Sequence, residues 1–218
     1  MKKFVSVMMA MLLVLSVFAG CGSKTPAQTP QDTTEAVQET TEVIETTEAT
    51  QETQPAETAG NPALTVLQTI WNAHDDSEKF SVYGGNPKEN FEDNTLDQPD
   101  VYDLADENIS FNLLIPAEQL VNVASAASMT HMMNSNNFNA AVYQLAEGAD
   151  VQAFCEAMYQ AVSGNMWMCG MPDRVIVAAI NTEFVLVVYG VNDALNPFET
   201  HLGAAYPDAV IAYNESLV

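Results

Sequence analysis

Basic residues are scarce in this chain. Its 218 residues include six Lys and Arg against 29 Asp and Glu, which gives a formal net charge of −23. Three of the six lie within residues 1–24, and the others are Lys79, Lys88 and Arg174. Such an excess of acid repels phosphate groups. The composition therefore argues against nucleic acid as a partner and against direct adhesion to anionic lipid headgroups.

Cysteine is also rare, with three residues at Cys21, Cys155 and Cys169. If Cys21 carries a lipid, the other two could pair outside the reducing cytosol, and that disulfide would add about 3 kcal/mol by loop-closure entropy. Alternatively, Cys155 and Cys169 are small hydrophobic residues without thiol chemistry. The sequence leaves both interpretations open.

Motifs for catalysis are missing. The chain has no G-x-S-x-G, no phosphate-binding glycine loop and no C-x-x-C pair, and its three histidines stand in no recognisable nucleophile context. We therefore expect no enzyme activity and no cofactor. A small hydrolase with an unrecognised site is an alternative, because a chain this acidic has many carboxylates that could act in pairs.

The N-terminus has the pattern of an export signal. Lys2 and Lys3 precede an apolar run over 4–19, and small residues lead to Cys21. The run is shorter than the roughly 20 residues of a membrane-spanning helix, which favours a cleaved signal peptide over 1–20. The segment Phe18-Ala19-Gly20-Cys21 predicts lipidation of Cys21 and anchoring to the outer face of the bacterial cytoplasmic membrane, although Phe18 is atypical there.

Residues 21–61 are rich in Thr, Glu, Gln, Pro and Ala, with no aromatic residue and three branched aliphatics. Such a segment cannot bury enough apolar surface to offset its ordering entropy. We expect a disordered tether with a reach of about 35 Å.

Periodicity predicts the elements of the folded part. Helices are expected over 62–74, 117–128, 151–163 and 192–205, with Asp150 as an N-cap and Pro197 as a kink or delay. Strands are expected over 138–145, 174–180, 183–189 and 209–213, with the second and third forming a hairpin. Residues 109–114 are expected to be a short strand or a lead-in to the helix that follows. Residues 75–108 carry a turn signal and many acids, which is typical of irregular structure.

This order of elements predicts an α+β fold. We expect a small antiparallel sheet with helices packed mainly on one face. The single domain would span 62–218, with its core over about 109–218 and the first helix as an extension.

Two strings, 132–154 and 169–199, resemble an uncharacterised domain found in lipoproteins of low-GC Gram-positive bacteria. The resemblance covers roughly residues 100–205 and implies the same plan: a lipobox, a Thr/Glu-rich linker and one small α+β domain. The helix after the first strand is more apolar and Met-rich here than in that family. The resemblance implies no active-site residues.

Methionines flank His131 and Cys169, in the segments SMTHMMN and NMWMCGMP. Thioether, thiolate and imidazole groups suit Cu(I), so His131, Met166, Met168 and Cys169 are candidate copper ligands. Ordinary packing explains the same residues, because Met fills irregular gaps. The acids within 92–107 are a weaker candidate for calcium, since they lack the spacing and the glycine of a calcium loop.

These observations favour a non-catalytic extracytoplasmic lipoprotein that binds an envelope protein or ligand, or acts as a scaffold. The alternatives are a copper-binding module and a small envelope hydrolase.

Overall fold

The computed structural model describes residues 60–218. The predicted signal peptide, Cys21 and the linker up to residue 59 lie outside the described residues. The helices are α1 (Pro62–Asn72), α2 (Ile109–Asn112), α3 (Val151–Ser163) and α4 (Asn192–Ala205). The strands are β1 (Val82–Gly84), β2 (Thr95–Leu96), β3 (Asp100–Tyr102), β4 (Val123–His131), β5 (Phe138–Leu145), β6 (Arg174–Ala179), β7 (Phe184–Gly190) and β8 (Val210–Ser216).

Caps and turns place the longer elements where the sequence predicts them. The Asn61 side chain accepts a hydrogen bond from the Leu64 backbone N–H at the start of α1, and Asp150 accepts one from Ala153 at the start of α3. Each bond satisfies a backbone donor that the first helical turn leaves unpaired. β6 and β7 form the predicted antiparallel hairpin.

All strand pairings among residues 60–218 are antiparallel, in the order β2-β1-β4-β5-β7-β6-β8. β3 pairs with residues 126–128 in the middle of β4, and β1 pairs with residues 129–131 at the end of β4. The predicted α+β class with an antiparallel sheet is confirmed. Within these residues, no helix combines the length and the apolar character needed to span a bilayer.

Helices cover both faces of the sheet. On one face, α1 and α4 pack on residues such as Met129, Val142 and Val188. On the opposite face, α3 packs on the alternate residues, among them Tyr143 and Val187. Two of the three long helices thus share one face, as the sequence predicts, and α3 covers part of the other face. The hairpin strands are buried on both sides, which is why they consist of nearly continuous apolar runs.

α1 belongs to the core and is more than an extension of it. Its residues Leu67, Ile70 and Trp71 are at most 1% exposed and contact the sheet. Burying each large apolar side chain contributes about 1.5–3 kcal/mol. The core thus begins well before residue 109.

Two predicted elements are wrong. Residues 117–128 form a 3₁₀-helix (Ala117–Asn122) and then enter β4 instead of continuing as a helix. Residues 109–112 form a short helix, α2, so the strand interpretation of this segment is wrong. Ala strongly favours a helix and is unfavourable in strands, so pairing with β5 on one side and with β1 and β3 on the other overrides the local preference in β4.

The acidic segment 75–108 contains more structure than the sequence indicates. It provides the short strands β1, β2 and β3, which extend the sheet beyond β4. These strands have two or three residues each, too few for a periodicity signal.

Candidate functional site

A row of polar side chains crosses one end of the sheet. Tyr83 of β1 pairs with Thr130 of β4, Thr130 with Asn139 of β5, and Asn139 with Tyr189 of β7. Directly paired residues point to the same face of a sheet, so these four, here called the polar row, share the face that α3 covers elsewhere. Thr130, Asn139 and Tyr189 are each at most 4% exposed.

Hydrogen bonds hold the polar row together. The Asn139 side-chain amide donates to the Thr130 hydroxyl at 3.2 Å and lies 3.2 Å from the Asn112 carbonyl oxygen. Burial raises the pKa of Tyr83, an effect that its hydrogen bond with Thr130 partly offsets. Burial also raises the pKa of Tyr189. Both tyrosines therefore remain neutral phenols across the physiological pH range.

The loop over 165–171, here called the methionine loop, lies beside the polar row. The Asn136 side-chain amide donates to the backbone carbonyls of Met168 and Gly170 at 2.6 and 2.7 Å, and that of Asn134 donates to Cys169 at 3.2 Å. These bonds fix the loop against the β4–β5 turn. The two Met-rich segments of the sequence are thus neighbours in the structure.

The opposite wall comes from β3 and α2. The Tyr102 hydroxyl donates to the Asp106 carboxylate at 2.7 Å and accepts from the Asn112 side-chain amide at 2.9 Å. Burial raises the pKa of Tyr102. Asp106 also accepts a bond from the Asn86 amide at 2.9 Å. The Asn112 side chain thus belongs to this network, while its backbone carbonyl accepts the bond from Asn139.

Between these walls lies a cavity of about 450 Å³, here called the asparagine cleft. Its lining includes five asparagines: Asn112, Asn134, Asn136, Asn139 and Asn165. Aromatic side chains and the methionine loop supply most of the rest, and no Asp, Glu, Lys, Arg or His lines it. The volume lies within the roughly 300–1,000 Å³ range of small-molecule sites.

Trp167 lies in the lining with its indole ring 5.1 Å from that of Tyr189. Its Nε1 is buried and has no hydrogen-bond partner in the described part of the chain. An unpaired buried donor costs about 1–3 kcal/mol. Because Nε1 has almost no exposed surface, a ligand in the cleft does not reach it in this conformation.

The lining offers uncharged hydrogen-bonding groups but no nucleophile paired with a base. The side chains in the lining that could act as nucleophiles are Ser135, Cys169, Thr130 and the tyrosines. No histidine or carboxylate lines the cleft to activate them, and activation by an adjacent base is what such nucleophiles require. Asparagine amides offer both donors and acceptors without charge.

The geometry at His131 weighs against its role as a copper ligand. His131 Nδ1 lies 3.1 and 3.3 Å from the backbone nitrogens of Met133 and Asn134, whose N–H groups donate to it. Burial lowers the pKa of His131, and a neutral imidazole that accepts at Nδ1 carries its proton on Nε2. His131 thus has no free lone pair for a metal. Met166, Met168 and Cys169 lie on the methionine loop, and their role as ligands stays a prediction.

The acids of 92–107 are not gathered into a cation site. Asp100 accepts bonds from the Thr95 hydroxyl and from the Val101 backbone, and Asp106 belongs to the Tyr102 network. Within residues 60–218, no group of three His, Cys, Asp or Glu side chains is placed to hold a metal ion.

The two cysteines of the described region lie in different surroundings. Cys155 is buried on α3, where burial raises the pKa of its thiol to about 11, and it lines a separate, mostly apolar cavity of about 670 Å³. Cys169 is exposed on the methionine loop, and both are free. The disulfide that the sequence left open does not form in this structure, and the predicted packing role describes Cys155.

Sequence reasoning missed Tyr83, Asn139, Trp167 and Tyr189 as site residues. One signal was present: Asn139 is a polar residue near the start of the largely apolar strand FNAAVYQL. It pointed to a polar contact on a buried face, but its partners are 9 and 27 residues away in the chain.

Comparisons of the chain with protein-family models, with curated proteins and with solved structures each found no match. The geometry of the asparagine cleft is therefore the observation that bears most directly on function.

Proposed function

We propose that this protein is a non-catalytic lipoprotein of the bacterial cell envelope whose folded domain binds an uncharged ligand in the asparagine cleft. Lipidation of Cys21 would anchor it to the outer face of the cytoplasmic membrane, and the Thr/Glu-rich linker would present the domain. The signal pattern over 1–21 and the resemblance of residues 100–205 to lipoprotein domains support the location.

The uncharged lining carries the binding proposal. The chain has a net charge of −23 and 29 acidic residues, yet none of them lines a cleft of about 450 Å³. A site for a cation would hold carboxylates, and a site for an anion would hold Lys or Arg. Amide, hydroxyl and aromatic groups instead suit a neutral ligand that has donors and acceptors as well as apolar surface.

The same lining supports a non-catalytic role. The cleft offers no general base within its walls, and acid–base catalysis needs such a group within hydrogen-bond reach of the reacting atom. This weighs against the hydrolase alternative at this site.

The test of the proposal uses Tyr189→Phe. The variant removes one hydroxyl from the polar row and keeps the ring that packs on Trp167. We expect binding of neutral ligands, measured as a change in Trp167 fluorescence in a Trp71→Phe background, to weaken about tenfold, as is typical when a buried hydrogen bond to a ligand is lost.

The matched control is Tyr213→Phe. Tyr213 is a tyrosine of β8 that stacks on Tyr159 with ring centroids 4.2 Å apart and does not line the asparagine cleft. This variant should bind like the wild type. If a broad panel of neutral peptides, sugars and amides leaves Trp167 fluorescence and the melting temperature unchanged, the cleft is not a binding site.

A further inference from the structure

Large apolar side chains stand exposed at the rim of the asparagine cleft. Met166 and Met168 on the methionine loop are 91% and 80% exposed, and Phe111 of α2 on the opposite wall is 82% exposed. Soluble domains rarely leave several such side chains together in water, and where they do the surface commonly binds a partner.

We infer that the ligand of the asparagine cleft is an extended, uncharged polypeptide segment with large apolar side chains. The inference rests on the proposed function and names the ligand class for that same site.

The rim favours a peptide over a sugar. Met side chains are unbranched and flexible, so they adapt to apolar side chains of different shapes, which is why they recur on surfaces that bind varied peptides. Met166, Met168 and Phe111 would gain burial against such side chains. A polyhydroxylated ligand would gain little from thioethers that flank it on two walls.

The floor suits a peptide backbone. Each peptide unit carries one N–H donor and one carbonyl acceptor, and an asparagine side chain carries the same pair of groups. Asn136 and Asn139 use their amide N–H groups within the domain. Asn165 lines the cleft and makes no side-chain hydrogen bond within the described residues, so its amide can pair with a peptide unit of the ligand. The row Thr130–Asn139–Tyr189 lies below as further polar surface.

The uncharged lining and the negative net charge of the chain limit which peptides can bind. The lining is uncharged, so a charged side chain inside the cleft would lose its hydration without gaining a partner. The chain carries a net charge of −23, so an acidic peptide would be repelled on approach. The segment that enters the cleft is therefore uncharged, with neutral or basic residues flanking it.

The experiment measures binding to the full chain in detergent with two sets of probes. The first is an array of uncharged decapeptides with Leu, Phe or Tyr at alternate positions and either Lys or Glu at the ends. The second is a set of neutral oligosaccharides. We expect peptides with Lys ends to bind and oligosaccharides not to bind.

Variants at the rim then locate the contact. Met166→Gln combined with Met168→Gln keeps side-chain length and neutrality but removes apolar surface, and peptide binding should weaken about tenfold. Met171→Gln is the control, because Met171 is also on the methionine loop and 46% exposed but does not line the cleft. It should bind peptides like the wild type.

The outcomes distinguish the assignment of a peptide ligand from the proposal that the cleft binds a neutral ligand. Binding of oligosaccharides that Tyr189→Phe weakens, with no peptide binding, overturns the peptide assignment and leaves the cleft as a site. Peptide binding that the double Met variant does not weaken also overturns the assignment. If no neutral probe binds, the inference and the proposed function both fail.

Discussion

At the scale of single residues, burial shifts the pKa of histidine side chains and leaves some of their nitrogens without a hydrogen-bond partner. His74 is 4% exposed, its Nδ1 lies 3.0 Å from the Ile70 carbonyl oxygen, and its Nε2 has no partner among residues 60–218. Its ring is 4.4 Å from that of His201, whose Nε2 lies 2.8 Å from the Glu78 carboxylate. Burial lowers the pKa of His74, and this effect outweighs the Ile70 carbonyl, which raises it. Among the charged neighbours, His201 and Lys79 lower the pKa and Glu78 raises it.

This environment predicts a pH-dependent stability. In the unfolded chain His74 takes up a proton as the pH falls below about 6.5, whereas in the folded protein it stays neutral to lower pH. The unfolded state then binds more protons, so the free energy of unfolding is fully present above about pH 6.5 and decreases as the pH falls below it. His74→Phe keeps an aromatic ring beside Trp71 and Phe198 and should reduce this decrease.

Urea unfolding at pH 7.5, 6.5 and 5.5 checks the prediction. The variant should lose less stability than the wild type over this range. Part of the decrease should remain, since burial also lowers the pKa of His131. Equal losses in the two proteins would show that protonation of His74 does not oppose folding.

At the scale of elements, some strands are identifiable locally and others only through their neighbours. β6 and β7 are runs of β-branched residues around a short turn, and their hairpin is predictable from that pattern. β4 has the sequence VASAASMTH, in which Ala126, Ala127 and Ser128 are fully buried within the sheet. Local propensity does not reveal that burial, so the sequence suggested a helix there.

The end of β7 shows how tightly the strands pack beside the polar row. A Cβ on Gly190 would collide with the backbone carbonyl of Asn137, just before β5. Gly190→Ala should therefore push β5 and β7 apart and lower the free energy of unfolding by about 1–3 kcal/mol, the usual cost of overpacking.

Gly203→Ala is the matched control, because Gly203 lies inside α4 with open space around its Cα. Alanine is the better helix former, so this change should raise stability by about 0.5–1 kcal/mol. Chemical denaturation of both variants measures the two effects. If both variants lose a similar amount of stability, the collision at Gly190 is not the cause of the loss.

At the scale of the whole molecule, an anchor and a binding cleft have to act together. Two acyl chains hold a protein at a membrane stably, whereas one chain gives only marginal binding. If Cys21 carries two acyl chains, as we propose, it would keep the acidic domain near the membrane despite the chain's net charge of −23. Without the anchor, repulsion from anionic headgroups should keep the domain in solution.

Cys21→Ser tests the anchor. We expect the protein to move from the membrane fraction to the culture medium, measured by fractionation and immunoblotting. Cys169→Ser is the control, since it changes an exposed thiol of the methionine loop and should leave the protein in the membrane fraction. If Cys21→Ser stays membrane-bound, the uncleaved apolar run over 4–19 is the anchor and the lipoprotein proposal is wrong.

The sequence alone determined the features that depend on local chemistry. The caps at Asn61 and Asp150, the helical spacing of α1 and α3 and the β-branched runs of β6 and β7 each act within a few residues, so the α+β class with an antiparallel sheet was predictable.

Only the tertiary structure decided where the candidate site lies and what lines it. The polar row draws on residues from Tyr83 to Tyr189, and the asparagine bonds to the methionine loop join residues 32 to 35 positions apart. Contacts at such separations depend on the pairing and order of the strands, which no local pattern specifies. The sequence grouped His131 with the methionines as a metal site, whereas the fold engages His131 Nδ1 with backbone N–H groups and places uncharged amides beside the methionines.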